Sequence, residues 1–157
     1  MLVRNARVIL AAVDTTHPDD ERHPALRRVI EQVLTLSAEF RLICVSVIRG
    51  GPGAESQGDP NSTASAQVDH MVRLRHWVEP LHLPQQRLSL HVLEAASPAG
   101  ALVDFASQNH VDLIVVGAPD PDQQALAWWR SVASGVTANA RCSVHVVRVP
   151  RTARTAN

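Results

Sequence analysis

Lysine and tyrosine are missing from this chain of 157 residues, and aromatic residues make up only 3% of it. So few rings offer no base-stacking platform for single-stranded nucleic acid. The fifteen basic residues, all arginine, are balanced by fifteen acids, so the formal net charge is zero. The positive excess that nucleic-acid binders set against phosphates is therefore missing as well. There are two cysteines, Cys44 and Cys142, each in an apolar run, too few for a secreted disulfide framework. With no lysine near either, both read as inert core thiols. No apolar run reaches the roughly 18 residues of a membrane span, and Met1–Arg7 leads into a strand-like segment without a cleavage pattern. The expectation is a soluble, cytoplasmic protein with neither a nucleic-acid nor a membrane partner.

The chain does hold ample material for a core. Apolar residues make up 45% and charged residues 19%, a globular balance at the length of one domain. Continuous apolar runs at Arg7–Asp14, Arg41–Arg49, Arg87–Glu94, Val111–Ala118 and Cys142–Val149 read as strands, mostly buried on both faces. Between them, apolar residues recur at helical spacing over His23–Phe40, Ala66–His82, Pro98–His110 and Ser131–Ala140. Ser97-Pro98 has the form of an N-cap followed by proline at the first helical position, and Pro80 should bend or end the second helix. Gly50–Ser65 reads as a mobile, turn-rich connection. A single domain over 1–150 with a basic tail over 151–157 is expected. Alternating strands and helices imply a parallel sheet with right-handed crossovers and helices on both faces. Ligands of such sheets sit at the carboxyl ends of the strands, where the strand order reverses. Asp14 and Gly117, closing the first and fourth strands, become the residues to watch.

Other chemistry is poorly represented. His70, His76 and His82 are six residues apart, about 240° around a helix, so no pair faces one ligand. No zinc motif occurs, and no strained Gly-x-Ser-x-Gly turn is present to carry a catalytic serine. Gly50-Gly51-Pro52-Gly53 matches neither phosphate-loop pattern and reads as a connection. Trp128 and Trp129 read as a buried staple before a helix rather than a stacking surface.

A first strand ending Val-Asp, a fourth ending Val-Val-Gly and a closing Cys-Ser-Val-His-Val-Val-Arg together resemble the universal stress protein family over about Arg7–Arg148. The resemblance implies an α/β fold of the adenine nucleotide alpha hydrolase-like kind: a five-stranded parallel sheet in the order 3-2-1-4-5 with helices on both faces. It also implies a nucleotide site. ATP-binding members carry Gly-x-x-Gly, nine residues, then Gly-Ser/Thr. Here the first glycine is Gly117, but Asp120 and Arg130 stand in place of the second and third. Ser131 and Val132 follow the pattern, Asp14 matches the acid near the adenosine, and Val47 matches the position whose backbone reads adenine.

The departures have physical meaning. Glycines in such a loop let backbone N–H groups approach an anion. Asp120 adds a side chain and a negative charge beside a triphosphate, at a cost of about 4 kcal/mol for a pair about 4 Å apart at intermediate dielectric. Arg130 is a good phosphate partner, or an equally good partner for Asp120 across the mouth of the pocket. The reading is a dimeric binding or signalling module, not an enzyme, with a degenerate nucleotide site and no required cofactor. Two alternatives stay open. One is an ATP-binding stress sensor using Arg130 and Ser131, with slow hydrolysis; the other is the regulatory domain of a larger signalling protein. The resemblance further implies a homodimer through the last strand, involving Cys142, Val144, His145, Val146 and Val147.

Overall fold

The computed structural model describes residues 8–15, 22–35, 39–50, 60–118 and 127–148, and their side chains except at 22–23, 60–63 and 127–131. Five strands and four helices alternate along the chain: β1 (Val8–Ala12), α1 (Arg22–Thr35), β2 (Arg41–Arg49), α2 (Pro60–Val78), β3 (Leu88–Ala95), α3 (Pro98–Gln108), β4 (Leu113–Gly117), α4 (Ala127–Asn139) and β5 (Ser143–Val147). The strands form one sheet in the order β3-β2-β1-β4-β5, and every pairing is parallel. The expected order 3-2-1-4-5 is therefore the observed one.

Strand alternation divides the core in two. Ile9, Ala11 and Val13 of the first strand region, with Leu42, Cys44 and Val115, meet Leu26 and Ile30 of α1 and Leu74 and Trp77 of α2. Leu10, Ala12, Ile43, Val45, Val47 and Val116 face the other way, toward Leu102 of α3 and Val132 and Val136 of α4. Both faces of the central strands are covered, which is why those strands are apolar at every position rather than at alternate ones.

The local signals act as their chemistry requires. Ser97 caps α3, its Oγ accepting the Gly100 N–H at 3.3 Å, with Pro98 at the start of the helix. Pro80 ends α2: the regular helix stops at Val78, one tight turn follows over Glu79–Leu81, and His82 takes a left-handed conformation at φ 50°. Gly135 lets α4 lie close against α3, since a Cβ there would stand 2.7 Å from that of Ala99.

Several boundaries differ from the expectation. Helix α2 begins at Pro60, inside the segment expected to be loop, because proline suits a first helical turn. Helix α1 ends at Thr35, short of Phe40. Helix α4 begins at Ala127, four residues ahead of Ser131, so Trp128 and Trp129 lie within it rather than before it. Cys142 immediately precedes β5 and is half-buried, whereas Cys44 is fully buried in β2. The expected tail over 151–157 lies outside the described residues. No helix among the described residues is long and apolar enough to cross a membrane.

Candidate functional site

The carboxyl edge of the sheet is stepped. Strand β1 stops at Ala12, level with Val45 and Val116, while β2 and β3 run on together to Arg49 and Ala95. Two hydrogen bonds fix which way the overhanging β2 backbone faces. The Val13 N–H donates to the Val45 carbonyl at 2.9 Å, and the Gly50 N–H donates to the Ala95 carbonyl at 3.0 Å. Odd residues of β2 thus turn their peptide groups toward β1, and even residues toward β3. Val47 is odd and lies beyond the end of β1, so its N–H and C=O face the lane that β1 has vacated. Beneath this lane Val47 and Val132 share one buried cluster with Ala12, Val116 and Ala118.

The expected site residues fall on this edge as far as they are described. Asp14 follows β1, Gly117 closes the neighbouring β4, and both are buried. Val47 and Val132 form the apolar floor. Asp120 and the side chains of Arg130 and Ser131 lie outside the described residues, and with them the expected Asp120–Arg130 pair. The backbone of α4 is informative without its side chains. With the helix beginning at Ala127, the Ser131 N–H falls past the helix's unpaired first turn and is in register with the Ala127 carbonyl. The loose amides at this helix start belong to residues ahead of Ser131.

One cluster on the same edge was not anticipated. The Thr15 hydroxyl meets Ser46 Oγ at 2.6 Å and His70 Nδ1 at 2.6 Å, and Arg73 donates to the Thr15 carbonyl at 2.9 Å. Thr15 and Ser46 are 3% and 1% exposed. Thus helix α2 is fastened to the chain just after Asp14 through a single residue. Burial, and secondarily the charge of Arg73, push His70 below the usual imidazole range, against the opposing pull of Asp14 and Asp69. The available signal was Ser46 itself, a lone hydroxyl in an apolar strand, which needs a buried partner. Among the described residues no group of three or more His, Cys, Asp or Glu is placed to hold a metal ion.

Known proteins share this architecture. A universal stress protein in complex with cAMP superposes with a TM-score of 0.61 at 20% identity, covering 91% of this chain and 97% of that one. The universal stress protein UspA of Lactobacillus plantarum gives 0.60 at 20% identity, covering 92% and 99%. A universal stress protein family protein of Arabidopsis thaliana with AMP bound gives 0.61 at 11% identity, covering 96% and 97%. At these identities the likeness is one of fold. No match is found among curated proteins. The model of the universal stress protein family matches residues 5–148, nearly the whole sheet-and-helix unit described above, and the chain belongs to the universal stress protein family.

Proposed function

We propose that the chain is a dimeric binding or signalling module whose nucleotide site keeps the base-reading shelf and has lost the phosphate cradle. The observation that carries this reading is the start of α4 at Ala127. It places the Ser131 amide in register for a helical hydrogen bond to the Ala127 carbonyl, at a position where a phosphate would need it. The sequence supports the same reading, with Asp120 and Arg130 at the two glycine positions. The shelf at Val47, by contrast, retains peptide groups aimed at an open lane above an apolar floor. Such a site suits a nucleoside or its monophosphate better than a triphosphate. Relatives of the same fold hold cAMP and AMP.

Calorimetry on the purified chain tests this. ATP is expected to bind more weakly than about 100 μM, a free energy smaller than roughly 5.5 kcal/mol, and Asp120→Gly with Arg130→Gly is expected to strengthen it. Low-micromolar ATP binding to the unaltered chain refutes the reading.

The same parity argument supports dimerisation through β5. The Ala118 N–H donates to the Val147 carbonyl at 2.8 Å, so odd residues of β5 face β4 while Val144 and Val146 turn their peptide groups outward along the sheet edge. No proline interrupts this edge, and unpaired edges of this kind recruit partners. An antiparallel two-fold centred on His145 pairs Val144 with Val146 of a second copy and sets the two exposed His145 rings opposite each other. Cys142 and Val147 flank that pairing. Sedimentation should show a dimer, and His145→Glu, which sets two fixed like charges opposite each other, should weaken it. A monomer in the unaltered chain removes the interface, and an unchanged dimer in the variant removes the His145 contact.

A further inference from the structure

At the opposite, amino-terminal edge of the sheet lies a cavity of about 180 Å³ between the last turns of α3 and α4. Its floor is Val103, Ala106 and Val111, its wall Ala140 and Cys142, and its mouth carries Ser107, His110 and Arg141. The cavity therefore has an apolar floor and a polar rim that includes one cation.

Among the described residues the rim cation has no structural partner. Arginine near a helix end ordinarily serves the terminal carbonyls, but here other donors already serve them. The Asn109 side-chain amide donates to the Phe105 carbonyl at 2.8 Å, and that of Asn139 to Gly135 at 2.9 Å. The Val111 and Ala140 N–H groups donate to Ala106 and Val136, each at 2.9 Å. Arg141 is exposed and makes no hydrogen bond or ion pair with any described residue. His110 stands at the mouth in a left-handed conformation, φ 52°, where glycine or asparagine is the usual occupant. The Cys142 thiol in the wall is itself uncharged: burial, with a smaller contribution from the nearby Asp112 carboxylate, pushes it up, so it stays protonated at neutral pH.

We propose that this cavity is a second ligand site, separate from the nucleotide edge, for a small monocarboxylate with an apolar body. The body lies on Val103, Ala106 and Val111, and the carboxylate takes the planar fork of Arg141, with His110 beside it. The volume is that of a small ring, since a cavity of about 150 Å³ lined by aliphatic side chains accepts benzene.

Amide NMR of the full chain titrated with sodium benzoate tests the proposal, with benzamide as the uncharged counterpart. Benzoate should move the amides of Ala106, Val111 and Cys142 and saturate with a dissociation constant of about 1 mM, the range open to a ligand this small. Benzamide should bind about tenfold more weakly to the unaltered chain, and Arg141→Gln should weaken benzoate by a similar factor. Ala140→Leu, which narrows the cavity and leaves Arg141 in place, should abolish the shifts. Equal binding of benzoate and benzamide overturns the proposal, and so do shifts scattered over the surface or indifference to Arg141→Gln. The benzamide arm uses the native chain, so it decides the matter even if a variant misfolds.

Discussion

Replacing Thr15 by valine keeps the side-chain shape and removes one hydroxyl, the only group among the described residues that satisfies the Ser46 side chain. That hydroxyl makes both 2.6 Å contacts, to Ser46 Oγ and His70 Nδ1. His70 is partly exposed and recovers water, so its loss costs little. Ser46 is 1% exposed and is left buried without a partner, a penalty of about 1–3 kcal/mol. For a domain of this size each kcal/mol lowers Tm by about 2–4 °C, so Thr15→Val should melt roughly 2–12 °C early by calorimetry. Ser46→Ala alone should cost less than about 1 kcal/mol, because Thr15 keeps its bond to His70. Adding Ser46→Ala to Thr15→Val removes the orphaned group and should restore about 1 kcal/mol, so the two changes couple rather than add. A Tm unchanged in Thr15→Val, or a double variant less stable than Thr15→Val, refutes the argument.

Three further outcomes follow from the structure. Gly135→Ala, a change that ordinarily stabilises a helix by about 1 kcal/mol, should here destabilise, because its Cβ meets that of Ala99 at 2.7 Å; Ala99→Gly in the same chain should recover the loss, and a higher melting temperature for Gly135→Ala alone contradicts the packing. Burial pushes both His70 and His91 below the usual imidazole range, helped by Arg73 and Arg41 respectively. The unfolded chain therefore binds protons before the folded one, and stability present above about pH 6.5 should fall as pH drops toward the lowered folded values; a urea midpoint equal at about pH 7.5 and 5 is the contrary result. Burial pushes the Cys44 thiol up to about 12, so a disulfide reagent at about pH 8 should find at most Cys142 in the native chain and both thiols in urea, where burial is lost.

Much of this architecture was legible before any coordinates. The run RVILAAVD announced a strand covered on both faces, and Ser97-Pro98 announced a helix start, because each depends on neighbours in sequence. Strand order was reached through family resemblance, since apolar runs alone do not say which strand lies beside which. The start of α4 is hidden because apolar residues recur at helical spacing only from Ser131 onward, although alanine and arginine within Ala127–Arg130 favour a helix. The Thr15–Ser46–His70 cluster was hidden for a different reason. Its members come from three separate elements, and no periodicity marks a hydrogen bond that only the folded sheet and α2 create. The same holds for the cavity, whose two rim residues lie in turns following different helices.

The central position of β1 has a kinetic consequence. Its partner on one side, β2, follows almost at once, but on the other side Val8 and Asp112 meet across 104 residues of chain. At about 5–20 residues per second of synthesis, one edge of β1 waits roughly 5–20 s for β4 to emerge. Until then the edge of Ile9–Ala12 that pairs with β4 in the finished sheet has no strand to take it. This makes the first strand to be synthesised also the one whose pairing waits longest for completion.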